Sequence, residues 1–340
     1  MHIFLMVKNK IICLSTLILI TLFTQVSQAQ STKPSLTVGT VKALYHAVEQ
    51  ANQSPQGMTI YVQDGSYAIS RRLILTRENI QIQSLSGNRD AVILHGQGMQ
   101  QRVGTEILLD ISASNITIAG LTLQNVGNHL IQVRGERNAD NFTLSNCVLR
   151  DAYQQLLKVT ANPQADSNYA DNGLVDNCLF EYSAGIGPQY YIGGIDAHRS
   201  RNWLVKNSVF KNIASPAKQV AEHAIHFWDD SANNKVINNL IVNCDRGIGF
   251  GLGAAVPQNL GGEISGNYIL HDAKDHPFAD VGIVLESSPE TTISNNIIYS
   301  MSDYPNAIEY RFKTTKRVFI SNNTVNKPIV SRDGAHAWIK

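Results

Sequence analysis

Apolar and polar residues alternate in short stretches that recur along most of the chain. Alternation with a period of two predicts β-strands rather than helices, because successive side chains of a strand point to opposite faces. Each stretch holds two strands around a central Gly or Asn, and successive central residues are 26 to 31 positions apart. Self-similarity at this period predicts a solenoid of strands. The central residues are Gly120, Asn146, Asn177, Asn207, Asn238, Gly266, Asn295 and Asn322.

This column of central residues has a structural explanation. A sharp bend between two strands favours the left-handed backbone conformation, which Asn and Gly tolerate. Stacked Asn amides can also form hydrogen bonds along the solenoid axis. We therefore interpret the column as structural and not as part of a functional site.

A second column of strands lies between these ladders, and each member reads apolar–x–apolar–x. Aligning the apolar pairs predicts two rows of side chains on the outward face. Adjacent parallel strands lie about 4.8 Å apart, so Lys158, Asp196 and His226 are expected to be successive neighbours. The first row holds Gln132, Lys158, Asp196, His226, Gly249, Val284 and Glu309, and the second holds Arg134, Thr160, His198, Trp228, Gly251, Glu286 and Arg311.

The start of the chain has the pattern of a secretory signal, residues 1–29. Lys8 and Lys10 precede the apolar run 11–23, which is too short to span a bilayer, and small residues mark a cleavage site at Ala29. A membrane anchor is the alternative interpretation. With cleavage, we expect a secreted or periplasmic protein with no stable membrane insertion.

Residues 30–340 are predicted to form one domain. The apolar positions of Val41–Ala51 share one helical face and predict a short helix at about 39–52. Coils of the solenoid then follow at about 57–330. Because the open end of a solenoid exposes its core and a strand edge, we expect the helix to cap the first coil.

The charge of the chain is nearly balanced, with 28 Lys and Arg against 27 Asp and Glu. A general nucleic-acid binder shows a basic excess, so no nucleic-acid partner is expected. An anionic ligand would have to be bound by local Arg and Lys side chains.

The cysteines leave one structural question open. Cys147 and Cys178 each follow the central Asn of consecutive coils, where stacked neighbours fall within the Cα range of a disulfide. Two buried thiols are the alternative. Cys244 is expected to be a core residue.

Several segments carry a resemblance to a known family. They include the helix, the coil TIYVQDGSY at 59–67 and the run AEHAIHFWDDSANNKVINNLIVNCDRGIGFGLG at 221–253. With these features the chain resembles the secreted bacterial proteins of the pectin lyase-like superfamily. The resemblance implies an all-β fold, the right-handed parallel β-helix. It also implies a function among the polysaccharide lyases, glycoside hydrolases and uronate epimerases.

One local match is sharper. The segment GGIDAHRSRNWLVKNSVF, residues 193–210, resembles the part of mannuronan C5-epimerases that carries Asp-Pro-His-Asp. Asp196 and His198 match the first Asp and the His of that motif. Ala197 and Arg199 stand where the motif has Pro and its second Asp, and this departure favours a lyase over an epimerase.

The outward rows contain residue types that suit chemistry on uronates. Elimination and C5 epimerisation both begin when a base removes the proton at C5 while a cation or acid neutralises the carboxylate. Solvated polar residues on a sheet face are the alternative interpretation. The predicted catalytic residues are Lys158, Asp196, His198 and His226, and Arg134 and Arg311 could bind the carboxylate.

Two further features suggest contacts with a sugar. Gly249 and Gly251 could form a floor without side chains beside Trp228, on which a sugar ring stacks, although these glycines could equally relieve crowding. Glu286 and Glu309 could form a retaining-hydrolase pair, which needs carboxyl groups about 5 Å apart. An ion-pair patch with Arg311 is the alternative for the two glutamates.

Calcium is a possible cofactor, because lyases of the superfamily that the chain resembles often use Ca²⁺. The ion needs six to eight oxygen ligands, and no calcium-loop spacing is present. Solvation of the loops is the alternative, and we assign no metal ligand. The loop aspartates in question are Asp229, Asp230, Asp272, Asp275 and Asp280.

These observations predict a carbohydrate-active enzyme that acts on an acidic polysaccharide by C5 proton abstraction. A lyase is preferred, with a uronate epimerase or a glycoside hydrolase as alternatives. A non-catalytic, glycan-binding or structural solenoid is the second class, because fold does not determine function. The C-terminal end has no capping helix, so self-association there is also possible.

Overall fold

The structure of the protein is a computed structural model. The predicted signal segment, residues 1–29, lies outside the described residues, so export stays a prediction. Within the described part of the chain, no helix is long and apolar enough to cross a membrane. The described residues are 33–162, 164, 167–219, 221–256 and 258–340.

Parallel strands stack into three long sheets, and successive turns of the chain add neighbouring strands to each sheet. This is the parallel β-helix that the period of the sequence predicts. Apolar side chains form continuous inward columns. In the third sheet, for example, Leu157 pairs with Ile195, which pairs with Ile225 on the next strand, and all three are fully buried.

The strands are short, and three sheets account for nearly all of them. The first sheet contains Ser35–Val38, Met58–Val62, Ile80–Ser84, Thr117–Ala119, Thr143–Ser145, Leu174–Asp176, Leu204–Lys206, Lys235–Ile237, Glu263–Ser265, Thr292–Ser294, Val318–Ser321 and Ala337–Ile339. The second sheet contains Gly65–Ala68, Val92–His95, Thr122–Val126, Val148–Ala152, Leu179–Glu181, Val209–Lys211, Leu240–Val242, Tyr268–His271, Ile297–Ser300 and Thr324–Val325. The third sheet contains Leu73–Leu75, Ile107–Ile111, His129–Arg134, Leu157–Thr160, Ile195–His198, His223–Trp228, Arg246–Phe250, Ile283–Glu286, Ile308–Arg311 and Ile329–Arg332. A 3₁₀ turn at Gly135–Arg137 and a small paired unit, Ser231–Ala232 with Asn259–Leu260, complete these elements.

The predicted helix spans Val41–Gln53 and packs against the first coil. Thr40 Oγ1 accepts a hydrogen bond from the Ala43 amide at 3.2 Å, which caps the first turn. The strand Ser35–Val38 precedes the helix and pairs with Met58–Val62. The sequence pattern missed this strand, because three of its four residues are exposed. The buried face of the helix consists of Leu44, Ala47, Val48 and Ala51.

The central column of Gly and Asn residues adopts the predicted backbone. All eight residues are left-handed, with φ between 50 and 67°. Their amides also contact one another in places: Asn177 Nδ2 donates to Asn146 Oδ1 at 3.3 Å. The column therefore turns the chain between the first and second sheets.

The position after the central residue forms a second ladder, which is buried and which the sequence analysis missed. Asn267 Nδ2 donates to Asn296 Oδ1 at 2.9 Å, and its Oδ1 accepts from Asn239 Nδ2 at 3.0 Å. Asn296 continues the ladder to Asn323 at 2.9 Å. Four coils are thus joined by side-chain amides inside the solenoid.

Cys147 and Cys178 occupy the same ladder position in earlier coils. The Cys147 amide donates to Cys178 Sγ at 3.4 Å, and the Cys178 amide donates to Ser208 Oγ at 3.0 Å. Both residues are free and buried, as is Cys244. Of the two alternatives for this pair, the structure therefore has the buried thiols, and Cys178 Sγ acts as a ladder acceptor.

The last coil extends beyond residue 330, the predicted limit. The strand Ile329–Arg332 continues the third sheet, and Ala337–Ile339 pairs with Val318–Ser321. The rings of Phe319 and Trp338 stack there at 4.7 Å, and both residues are about half exposed. Self-association at this end stays a prediction.

Candidate functional site

The register of the third sheet places the predicted catalytic residues side by side. Lys158 pairs with Asp196, and Asp196 pairs with His226 on the next strand. His198 pairs with Trp228 within the same two strands. The predicted alignment of the two rows is therefore confirmed at these positions.

The first row is buried, which corrects the expectation of side chains open to solvent. The exposed fractions are 9% for Lys158, 1% for Asp196 and 0% for His226. Aromatic packing covers the row: the Trp228 ring lies 4.1 Å from the His198 ring and 5.6 Å from the His226 ring. Trp228 therefore packs against two imidazoles and does not present a free stacking surface.

A chain of polar contacts joins the buried row to the surface. The Lys158 ammonium donates to Asp196 Oδ2 and, at 2.8 Å, to His198 Nε2. Because His198 Nε2 accepts this bond, the proton of the neutral ring is on Nδ1, which donates to Asp229 Oδ2 at 3.2 Å. The side chains of His198 and Asp229 are 20% and 36% exposed, so this end of the chain of contacts is accessible.

Asp196 is the ionised centre of the cluster. Burial is the largest single influence on the pKa of Asp196 and would raise it, but the charge and hydrogen bond of Lys158 together with the charges of His198 and His226 outweigh burial, and the pKa is lowered to about 2. The indole Nε1 of Trp228 donates to Oδ1 of the same carboxylate at 2.7 Å. Asp196 thus holds Lys158 and Trp228 in position.

His226 is an internal residue, and this corrects its predicted role as a base that meets the substrate. Its Nε2 donates to the Gly251 carbonyl at 3.0 Å, and the residue has no exposed surface. Its Nδ1 lies 3.4 Å from Glu222 Oε2 and 4.0 Å from Asp196 Oδ1. His226 therefore lies behind the accessible end of the cluster, and no hydrogen-bond partner of its Nδ1 is found among the described residues.

Gly249 and Gly251 do not form an open floor for a sugar. The His223 ring lies against Gly249, where an added Cβ would come within 2.6 Å of its Nε2. Gly251 has a φ of 80°, and an added Cβ would lie 1.8 Å from the Glu286 carbonyl oxygen. Relief of crowding, the alternative interpretation, explains both glycines.

Arg134, a predicted ligand for a substrate carboxylate, is paired within the protein. Its Nη2 lies 2.6 Å from Asp110 Oδ2, and its Nη1 lies 3.3 Å from Glu136 Oε1. These two carboxylates balance the guanidinium charge. The structure therefore assigns Arg134 to an ion-pair network and not to substrate binding.

Glu286 and Glu309 are both ion-paired, as in the alternative to a hydrolase pair, but only Glu286 pairs with Arg311. Arg311 Nη1 lies 2.7 Å from Glu286 Oε1, and Arg332 Nη1 lies 2.9 Å from Glu309 Oε2. The three residues also line a small cavity of about 60 Å³ next to His223. Because each glutamate is held by an arginine, neither is a free catalytic acid.

Three residues that the sequence analysis missed adjoin the row: Glu222, His223 and Gln155. Among the described residues, no hydrogen-bond partner is found for Glu222 Oε2 or for either ring nitrogen of His223, although these atoms are buried. The side chain of Gln155 interacts with Tyr191. Buried polar groups are nearly always paired, so these atoms are suited to a polar ligand. The sequence contained one signal for His223. It is two residues before Ile225 in the same strand, so strand alternation gives it an inward position, where an apolar residue is expected.

Tyr191 is a fourth missed residue. Burial raises the pKa of Tyr191 to about 12, and the negative charges of Asp196 and Glu222 add to that effect. The phenol is therefore protonated at neutral pH and can donate a proton. It lies in a loop, where no strand pattern marked it.

Because His129 is buried next to this cluster, we expect the folded protein to lose stability in acid. Burial lowers the pKa of His129 to about 4, and its Nδ1 donates to the Gln155 carbonyl at 3.1 Å. The unfolded chain takes up this proton near pH 6.5 and the folded chain only near pH 4, so the free energy of unfolding should fall by about 3 kcal/mol between these pH values. Urea unfolding at pH 4 and pH 7 measures this, and His129→Asn should remove that part of the pH dependence. An unchanged pH dependence in the variant would contradict the assignment.

Two groups of side chains in the described part of the chain have the spacing to hold a metal ion, with all ligand atoms of a group within 4.8 Å of one another. Neither group contains any of the five loop aspartates considered for Ca²⁺. Three of those five are also engaged elsewhere: Asp229 accepts from His198, Asp230 accepts from Tyr169, and Asp280 accepts from Arg246. The aspartates therefore do not fit the oxygen-rich shell of Ca²⁺. The first group is Glu222, His223 and His226, and the second is Asp245, His271 and His276.

Solved structures share this architecture. An alginate lyase from Paenibacillus sp. str. FPU-7 aligns with a TM-score of 0.53 at 12% identity, over 89% of this chain and 99% of that one. An endo-xylogalacturonan hydrolase from Aspergillus tubingensis aligns with a TM-score of 0.54 at 14% identity, over 89% and 95%. The N-terminal fragment of bacteriophage Phi29 gene product 12 aligns with a TM-score of 0.57 at 14% identity, over 89% and 65%. At these identities the matches show a common fold.

Comparison by sequence gives the family. A search of curated proteins gives no match. The family described as right handed beta helix region matches residues 107–255 and 191–335, which together cover more than half of the chain. This protein therefore belongs to the right-handed β-helix family.

Proposed function

We propose that this protein is a polysaccharide lyase that removes the C5 proton of a uronate in an acidic polysaccharide. The observation that carries the proposal is the Lys158 ammonium, which contacts both the Asp196 carboxylate and the His198 imidazole. A cation and a proton acceptor are thus next to each other, as C5 chemistry requires. The fold shared with an alginate lyase and an endo-xylogalacturonan hydrolase supports the substrate class, because both polysaccharides contain uronates.

His198 is the base in this proposal. In the free protein its Nε2 accepts a hydrogen bond from Lys158. When a uronate carboxylate takes over the Lys158 ammonium, the Nε2 lone pair is released and removes the proton at C5. Asp229, bonded to Nδ1, keeps the ring in the required tautomer and stabilises the imidazolium that forms.

The C–H electron pair first moves into the carboxylate group, where the Lys158 charge stabilises it. It then forms the C4–C5 double bond as the C4–O bond breaks. The leaving oxygen needs a proton, and we assign Tyr191 as its donor, because this half-buried phenol is close enough to Asp196 and Glu222 to be influenced by their charges and is protonated at neutral pH. The products are a 4,5-unsaturated uronate and a new chain end, so atoms and charges balance.

Proton NMR of the purified protein with alginate, pectate and glycosaminoglycans tests this proposal. We expect signals of a 4,5-unsaturated sugar with one of these substrates. A changed ratio of uronate epimers without cleavage would instead identify an epimerase. New reducing ends without unsaturation would identify a hydrolase. Saturable binding without turnover would identify a glycan-binding solenoid, and each of these three results would overturn the lyase.

A further inference from the structure

A second polar cluster lies away from Lys158, at the turn between the second and third sheets. Asp245 precedes the strand Arg246–Phe250, His271 ends the strand Tyr268–His271, and His276 lies in the loop that follows. The ligand atoms of the three residues lie within 4.8 Å of one another. Two successive coils thus bring two imidazoles and one carboxylate to one point.

Hydrogen bonding orients this cluster but leaves its inner atoms unpaired. Asp245 Oδ2 accepts from the Ser215 amide at 2.7 Å. The His276 Nε2 lies 3.2 Å from the Gly185 carbonyl, which can only accept, so the proton is on Nε2 and Nδ1 carries a lone pair.

The inner atoms are buried lone-pair donors without a partner. Among the described residues, none is found for Asp245 Oδ1, His276 Nδ1 or either ring nitrogen of His271. Asp245 is 1% exposed and His271 is 6% exposed. Buried polar atoms without partners are rare and costly, and a cation at this point would pair Asp245 Oδ1, His276 Nδ1 and one ring nitrogen of His271 at once.

The donor set indicates the kind of cation. Two imidazoles and one carboxylate are typical ligands of Zn²⁺ and related divalent transition metals, whereas Ca²⁺ prefers oxygen alone. Carbonyl and amide groups that hold the far side of each ligand are the usual outer contacts of such sites. Here the Gly185 carbonyl and the Ser215 amide have these positions.

The cluster is also accessible. A cavity of about 450 Å³ is lined by His271 and His276, together with Lys274, Asp303 and Tyr304. An ion held by three protein ligands keeps a further coordination position, and that position would face this cavity.

We propose that Asp245, His271 and His276 bind one divalent transition-metal ion, with Zn²⁺ as the best fit, and leave a coordination position open to the cavity. The ion would connect two coils of the solenoid. This site is separate from the proposed lyase site and does not depend on it.

The test uses the full-length protein without an affinity tag, stripped with EDTA and titrated with Zn²⁺ by calorimetry. We expect binding that weakens by about 100-fold or more in His276→Ala, because loss of even an outer contact costs 10–100-fold. Zn²⁺ should also raise the Tm of the wild type but not of Asp245→Asn. Titration with Co²⁺ should give an absorption band in the visible region that the His276→Ala variant lacks.

Two matched controls separate this site from other histidines. His46→Ala removes a histidine of the helix Val41–Gln53 and should leave the affinity unchanged. His223→Ala alters the other potential metal-binding group and should leave the His276-dependent binding intact. Absence of Zn²⁺ binding in the wild type, or equal affinity in wild type and His276→Ala, would overturn the proposal.

Discussion

Replacing His198 with glutamine will lower the kcat of the proposed lyase reaction by about 10²–10⁴-fold, the usual contribution of a positioned acid or base. Glutamine keeps the length and polarity of the side chain, and its amide oxygen can still accept from Lys158. It cannot take the C5 proton. The His198 side chain is 20% exposed, so folding should be preserved, which circular dichroism and the Tm would check. The rate of unsaturated product formation, followed by ultraviolet absorbance, measures kcat.

Two control variants make this result specific. His46→Gln makes the same change on the N-terminal helix and should leave kcat unaltered. Asp229→Asn removes the carboxylate behind His198 Nδ1 and should lower kcat with little change in KM, since it disturbs the tautomer and not the binding of substrate. If a folded His198→Gln protein kept more than a tenth of the activity, His198 would not be the base.

Replacing Asn267 with leucine will lower the free energy of unfolding by about 3–6 kcal/mol, because each buried polar group left unpaired costs about 1–3 kcal/mol. Leucine has the same branching as asparagine but no polar atoms. The Asn267 amide donates to the Val236 carbonyl and to Asn296 Oδ1, both at 2.9 Å. It accepts from the Asn239 amide nitrogen Nδ2 at 3.0 Å and from the Asn239 backbone N–H at 2.9 Å. Urea unfolding followed by circular dichroism measures the change.

Asn267→Ser separates hydrogen bonding from packing. An earlier coil already has a hydroxyl at the same ladder position. There Ser208 Oγ accepts a hydrogen bond from the backbone N–H of Cys178. If the ladder stabilises through hydrogen bonds, serine should cost less than leucine, although it leaves a larger void. Leucine being the milder change would contradict this account. Asn326→Leu, at an exposed position, should change stability by less than about 1 kcal/mol.

The repeat and its register could be predicted because they depend on local chemistry. A bend that needs positive φ selects Asn or Gly, so the column from Gly120 to Asn322 marks each turn of the solenoid. Strand alternation then aligns Lys158 with Asp196 and Asp196 with His226, since register in a solenoid follows from stacking equivalent positions. The capping helix could also be predicted from local chemistry, because Leu44 and Val48 are on one apolar face.

Most partners of these side chains could not be predicted from the repeat. The pair of Glu286 and Arg311 is an exception, because the two residues are neighbours in one predicted row. Nothing in that row shows that Asp110 balances the charge of Arg134. The burial of His226 depends on Trp228 and Gly251, and the closeness of Tyr191 depends on the path of a loop. Ordered strands repeat, whereas loops and side-chain packing do not.

The sequence by itself therefore determined the parallel β-helix, its turns and the alignment of Lys158, Asp196 and His198, because these follow from periodicity and backbone preference. Only the tertiary structure decided that His198 is the accessible end of a buried chain of contacts and that Asp245, His271 and His276 meet. Both depend on how loops and side chains from different coils pack in three dimensions, where burial and unpaired polar atoms decide which residues can act.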